Sequence, residues 1–226
     1  MTETDSSFEY FFDPLCGWCY AAAPALQALH HAVGARLRLM PVGLFMGEGA
    51  RPLSPSFAEY AWSNDQRIQT LTGQPFSPAY RQNILSAPGI RFDSGPATKA
   101  LIALGQRDPA LEPAFLHALQ VSRYQDGADT ARPAVLADIA ATVAAAAGLT
   151  LDVSAFAAAL EDDAVLVYDT DRRITTSRQA MRALSGSGVP QLRVTHAGQV
   201  HTVNGAPLYS GAEGIFAHLR TLGLPV

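Results

Sequence analysis

The stretch Phe8–Tyr20, FEYFFDPLCGWCY, decides how the rest of the chain is read. An apolar run, Phe8 to Phe12, stops at Asp13-Pro14. Cys16 and Cys19, the only two cysteines, then flank Gly17 and Trp18, and a helix-like stretch runs from Ala21 to Val33. Strand, short turn, Cys-x-x-Cys and helix is the context in which this spacing reads as a redox dithiol. The start of a helix offers unpaired N–H groups and the positive end of the dipole. That position favours the thiolate of Cys16, and the thiolate is the nucleophile. Cys19, one turn further, is placed to attack a mixed disulfide on Cys16 and release the partner.

Composition narrows the setting. Hydrophobic residues make up 48% of the 226-residue chain, enough for a full core without staples. The net charge of −4, with both signs interspersed, argues against nucleic acid as the main partner. The polar start MTETDSS has no basic segment before the short apolar run, unlike a secretory signal. No stretch approaches the roughly 20 apolar residues that span a bilayer. A cytoplasmic protein is the expectation, and in a reducing compartment two cysteines so spaced read as catalytic or metal-binding.

Outward from the dithiol, the first helix runs from about Gly17 to Val33, with Pro24 predicting a kink. A second strand is expected in Leu37–Phe45, split at Pro41. From Gly47 to Gly95 frequent glycine and proline predict loops and short helices, including Phe57–Leu71. Helix signals follow at Pro96 to Gly105, Asp108 to Gly127, Pro133 to Gly148, Val153–Leu160 with Asp152 as cap, and Asp163 to Leu184. Asp169 with Arg172 and Arg173 reads as a solvated pair on the last of these. Gln191–Thr195 and Gln199–Val203 form a hairpin around Ala197-Gly198. Ser210 and Glu213 read as a capping box for a final helix. Without the helical block, the order is that of a thioredoxin-like βαβ…ββα unit. The expected architecture is α/β: a thioredoxin-like domain from residues 1–50 and 165–226, with an all-helical domain, 51–164, inserted.

Competing readings of the polar residues are weaker. Two buried structural cysteines would not need the strand–turn–helix junction. A structural zinc wants four ligands, and beside the two cysteines only His196 and His201 offer themselves, so no metal is expected. His30 and His31 lie at the far end of the first helix, about 21 Å from Cys16 at about 1.5 Å per residue, too far to act as its base. They suit the helix C-terminus. Gly188-Val189-Pro190 precedes the strand Gln191–Thr195. A trans proline at a strand start satisfies these residues, although an X–Pro bond is the only type that readily becomes cis.

The strand–CGWC–helix unit, the helical insertion and the Gly-Val-Pro before the hairpin resemble the DsbA-like branch of the thioredoxin-fold superfamily. The resemblance covers nearly the whole chain. Thr72-Gly73-Gln74-Pro75-Phe76, Asp93-Ser94-Gly95-Pro96-Ala97 and Gln120–Gly127 resemble stretches of cytoplasmic members, including the FrnE-like and hydroxychromene-carboxylate-isomerase-related groups. The resemblance implies a cis Pro190 beside the dithiol, with Val189 supplying backbone groups to the substrate. Many relatives carry a buried acid six residues before the first cysteine. Here that position is Tyr10, Glu9 points to the other strand face, and Asp13 is the candidate substitute. The second cysteine pair of some FrnE-like proteins is missing.

These readings converge on a protein thiol–disulfide oxidoreductase or isomerase. Cys16 is the nucleophile and Cys19 the resolving thiol, Gly17 and Trp18 tune the pair, and Val189 and Pro190 position the substrate. No bound cofactor is required, because the dithiol is the redox centre. The partners are protein or peptide thiols and disulfides, with glutathione as co-substrate, or a small molecule. Two rivals remain at this level: a glutathione-dependent isomerase or transferase on the same fold, and a non-catalytic binding module.

Overall fold

A computed structural model describes residues 6–224; the acidic start of the chain, residues 1–5, lies outside the described residues. The apolar run forms β1 (Ser6–Phe12). It leads through the Asp13-Pro14 turn into α1 (Gly17–Ala21) and α2 (Ala23–Val33), a break at Ala22 that places Pro24 in the first turn of α2. There its missing N–H costs nothing. β2 (Leu37–Pro41) stops at Pro41, short of the expected Phe45, because Val42 onward turns away after one last bond to Phe12.

The next block carries β3 (Arg51–Pro52), α3 (Pro55–Thr72), α4 (Pro78–Tyr80) continuing as a π-helical turn over Arg81–Leu85, β4 (Arg91–Phe92), α5 (Gly95–Arg107), α6 (Glu112–Tyr124), α7 (Pro133–Ala146) and α8 (Val153–Asp162). It is helical except for the two-residue antiparallel β3–β4 ladder, which the sequence reading missed. The expected helix over Phe57–Leu71 is α3, which starts slightly earlier because Ser54 caps it by accepting from the Phe57 N–H.

α9 (Ala164–Met181) begins at the Asp163 cap and leads to the hairpin β5 (Gln191–His196) and β6 (Gln199–Asn204), then α10 (Ala206–Tyr209) and α11 (Gly211–Thr221). The Ser210–Glu213 capping box does not form. Ser210 Oγ bonds back to the carbonyl of Ala206 at 2.8 Å, since the residue ends α10 while it begins α11.

The sheet order is β2-β1-β5-β6, with β1 and β2 parallel and the other pairs antiparallel. The parallel pair requires the crossover that α1 and α2 provide. Alternation along the strands sends Phe8, Tyr10, Phe12, Leu192 and Val194 into one buried cluster with Leu26 and Leu29 of α2 and Ile215 and Leu219 of α11. That cluster continues without a break into Leu101, Phe115, Leu136 and Phe156 of the helical block. The opposite sheet face carries Phe11 and Met40 against Leu184. Glu9 lies on that face too, paired with Arg193 directly across the ladder.

The helical block is tied to α9 through a part-buried ion pair. Arg173 grips both oxygens of Glu112, at 2.5 and 2.6 Å, and donates to the Leu39 carbonyl at 2.8 Å. The sequence reading placed Arg173 in solvent beside Asp169; only Arg172 takes that position, 3.3 Å from Asp169. Among the described residues no helix is long and apolar enough to cross a membrane.

Candidate active site

Cys16 is the N-cap of α1, held by its N–H to the Asp13 carbonyl at 3.1 Å, while its own carbonyl accepts from Tyr20 at 3.0 Å. The two sulfurs are unequal. Cys16 keeps 8% of its surface exposed and Cys19 1%, both as free thiols. The Cys19 thiol is pushed well up, first by burial and next by Cys16, whose sulfur is within hydrogen-bonding reach. A thiol so placed stays protonated.

From the far end of the chain the β5 approach meets these sulfurs. The Val189–Pro190 bond is cis, and the Cys16 thiol donates to the Val189 carbonyl at 3.8 Å. Trp18 is half-buried and stacks against Tyr209 of α10 with ring centres 4.8 Å apart. One of its edges is therefore covered. Tyr209 escaped the sequence reading because no local pattern marks it. Its phenol is raised by burial and then by the charges of Cys19 and Cys16, so it stays protonated beside the sulfurs.

The position of the absent acid is filled by Tyr10, fully buried, with its hydroxyl donating to the Cys19 carbonyl at 3.4 Å. Asp13 is also fully buried. Its carboxylate accepts from the Leu15 N–H at 2.9 Å, the Phe45 N–H at 3.2 Å and the Ser94 hydroxyl at 2.7 Å. Burial outweighs these donors and lifts its pKa above the ordinary carboxylate range. Its charge in turn acts on Cys19.

The three insertion stretches singled out in the sequence converge on the back of this segment. Gln74 donates to the Tyr20 carbonyl at 2.9 Å and Ser94 holds Asp13. Tyr124 donates to the Leu15 carbonyl and Gln125 to the Tyr20 hydroxyl, both at 2.7 Å. Gly17 is needed for room. A Cβ there would lie 2.6 Å from Asp65 Oδ1 and 3.0 Å from Ile68 Cδ1 of α3. Sequence reasoning assigned Gly17 only the lack of charge and ring, since the approach of α3 is invisible locally.

His30 and His31 occupy the last turn of α2 as expected. His196 Nδ1 lies 2.7 Å from Ser6 Oγ at the strand ends. Among the described residues no group of three or more His, Cys, Asp or Glu could hold a metal ion. A cleft of about 880 Å³ opens along β2, lined by Leu37, Leu39, Gln106, Pro109 and Arg173 among others, and none of its walls comes from the CGWC segment.

A family model described as the DSBA-like thioredoxin domain matches residues 8–213. No curated protein matches the chain. Among solved structures, the cytosolic disulfide reductase DsbM from Pseudomonas aeruginosa is 30% identical with a TM-score of 0.80, covering 96% of this chain and 98% of that one. The same protein with GSH matches at 29% identity and a TM-score of 0.79, again covering 96% and 98%. A candidate protein disulfide isomerase from Nitrosomonas europaea, 24% identical over 96% of this chain and 97% of that one with a TM-score of 0.71, shares the fold.

Proposed function

This chain belongs to the DSBA-like thioredoxin family, and on that footing we propose that it reduces or rearranges substrate disulfides through Cys16 and Cys19. The observation that carries the reading is the inequality of the two thiols. Cys16 reaches the surface beside Val189, and Cys19 is sealed one turn behind it with a raised pKa. The Cys16 thiolate attacks a substrate disulfide, forming a mixed disulfide and expelling one substrate thiolate. Cys19 then loses its proton and attacks the Cys16 sulfur. The second substrate thiol leaves, and Cys16–Cys19 is oxidised by two electrons as the substrate disulfide is reduced.

Asp13 is the group we assign to receive the Cys19 proton in place of an acid at Tyr10, because it is buried, has a raised pKa and acts on that sulfur. The Val189 carbonyl and the ring of Pro190 border the position where an extended substrate would lie. Trp18, backed by Tyr209, gives this position an apolar wall.

Glutathione is the electron donor we assign, two molecules restoring the dithiol and leaving as glutathione disulfide. Support comes from the DsbM structure with GSH and from that relative's description as a cytosolic disulfide reductase. A glutathione-dependent isomerase without redox turnover has no use for a resolving thiol within reach of the first. The test is insulin reduction with glutathione as donor, comparing wild type with Cys16→Ser. Loss of activity in the variant supports the reading; equal rates reject it.

A further inference from the structure

Behind the dithiol, the insertion places a carboxyl group that the proposed chemistry does not use. Asp65, on α3, is only 4% exposed. Its Oδ1 lies against Gly17, the first residue of α1, so closely that no side chain fits between them. Its Oδ2 accepts from the Tyr80 hydroxyl at 3.1 Å.

The surrounding charges leave it weakly supported. Among the described residues the cation acting on it is Arg123 of α6, which is fully buried yet makes no salt bridge with it. That guanidinium lies over the rings of Tyr80 and Phe92, at 5.8 and 5.4 Å, and donates to Thr130 at 3.4 Å. Its Nε and Nη2 have no hydrogen-bond partner among the described residues. Arg81, next to Tyr80, is engaged with Glu59. From α1 the residue against Asp65 is Gly17, next in sequence to Cys16, and the Tyr124 phenol lies within the field of both Cys16 and Asp65.

We infer that Asp65 is a positioning residue whose negative charge, once formed, opposes the thiolate of Cys16 through the first turn of α1 and so restrains its reactivity. The inference rests on Cys16 being the reactive sulfur, as proposed above. A like charge close by disfavours the ionised form of a group, more so where burial keeps water from screening it. Burial lifts the Asp65 pKa to about 7, against the Tyr80 bond and the Arg123 charge, which lower it. The restraint therefore sets in across neutral pH and is absent in acid. The insertion would thus add a pH response of its own to that of the dithiol.

Alkylation of Cys16 by iodoacetamide, followed from pH 5.5 to 8.5 in a Cys19→Ser background, tests this without any disulfide turnover. Asp65→Asn is expected to leave the rate unchanged at pH 5.5 and to raise it about threefold to tenfold at pH 8. Tyr80→Phe, which keeps the ring but removes the donor to Asp65, is expected to move the onset of the restraint to higher pH. A rate ratio between Asp65→Asn and its parent that is the same at every pH marks a merely structural role and overturns the inference. So does an onset unmoved by Tyr80→Phe. Insulin reduction is assayed separately, so failure of the redox reading and failure of this one are distinguishable.

Discussion

The Sγ of Cys16 lies 3.8 Å from the carbonyl oxygen of Val189, a residue in the turn just before β5. In the dithiol the thiol donates to that carbonyl. When Cys16 ionises the bond is lost, and the unpaired N–H groups at the start of α1 are left to hold the charge. Cys19 has no comparable exposure.

The folded, reduced protein is therefore expected to take up one iodoacetamide near neutral pH, at Cys16, and two only after denaturation. Mass spectrometry of the intact chain and its peptides checks this. Two rapid additions to the native protein would remove the asymmetry on which the proposed roles rest.

Gly17 is the point where the insertion touches the motif. Its replacement by alanine would press a methyl group against Asp65 and Ile68. Overpacking of this kind costs about 1–3 kcal/mol. Gly17→Ala is expected to lower the urea midpoint accordingly, whereas Gly188→Ala meets no neighbouring atom within 4 Å and is strained only by its φ of +78°. A midpoint unchanged by Gly17→Ala would mean that α3 yields freely.

What was legible in the sequence is what neighbouring residues determine. Aromatic β1, the Asp13-Pro14 stop, the Cys-x-x-Cys turn and the break before Pro24 all read from adjacent positions, as did the Asp152 and Asp163 caps. The illegible part depends on residues far apart in the chain. Arg173 looked solvated until Glu112, 61 positions earlier, was seen beneath it. Ser210 matched a capping pattern, but the preceding helix claimed its hydroxyl. Asp65 and Tyr209 carry no local mark at all; only tertiary packing brings Asp65 against Gly17 and Tyr209 against Trp18.

Asp13 joins both aspects, since it clamps the active-site turn to Phe45 and Ser94 and acts on Cys19. Asp13→Asn is expected to slow release of the mixed disulfide by about tenfold or more, as loss of a general base does. Alkylation of Cys16 should be unaffected. Ser94→Ala separates the two roles, because it weakens the clamp while leaving the carboxylate. Stopped-flow measurement of thiol release in both variants decides: equal slowing would assign Asp13 to the clamp alone.

The Glu112–Arg173 pair makes a prediction about stability rather than chemistry. Glu112 is nearly sealed and Arg173 partly exposed, so solvent screens one side of the pair. Glu112→Ala would strand the guanidinium, at a cost of about 3 kcal/mol. Glu112→Gln, which keeps an acceptor, is expected to cost about 1–2 kcal/mol. Urea unfolding measures both, and the insulin-reduction rate per folded molecule should remain that of wild type. A matching fall in that rate would tie the pair to the site.

Asp65 also leaves a signature in global stability. Its pKa in the folded protein, about 7, lies above the ordinary 3.8. Between these values the folded state holds a proton that the unfolded state has released, so stability falls as pH rises through the window and stays lower above it. The loss is at most about 1.4 kcal/mol for each unit of pH between the two values. Asp65→Asn removes the titrating group while keeping the side chain's shape. The variant is expected to gain on wild type steadily from pH 5 to 7 and to hold a constant lead above about pH 8. Urea unfolding of both proteins at half-unit intervals measures the gap; a gap independent of pH would show that Asp65 titrates as an ordinary carboxylate.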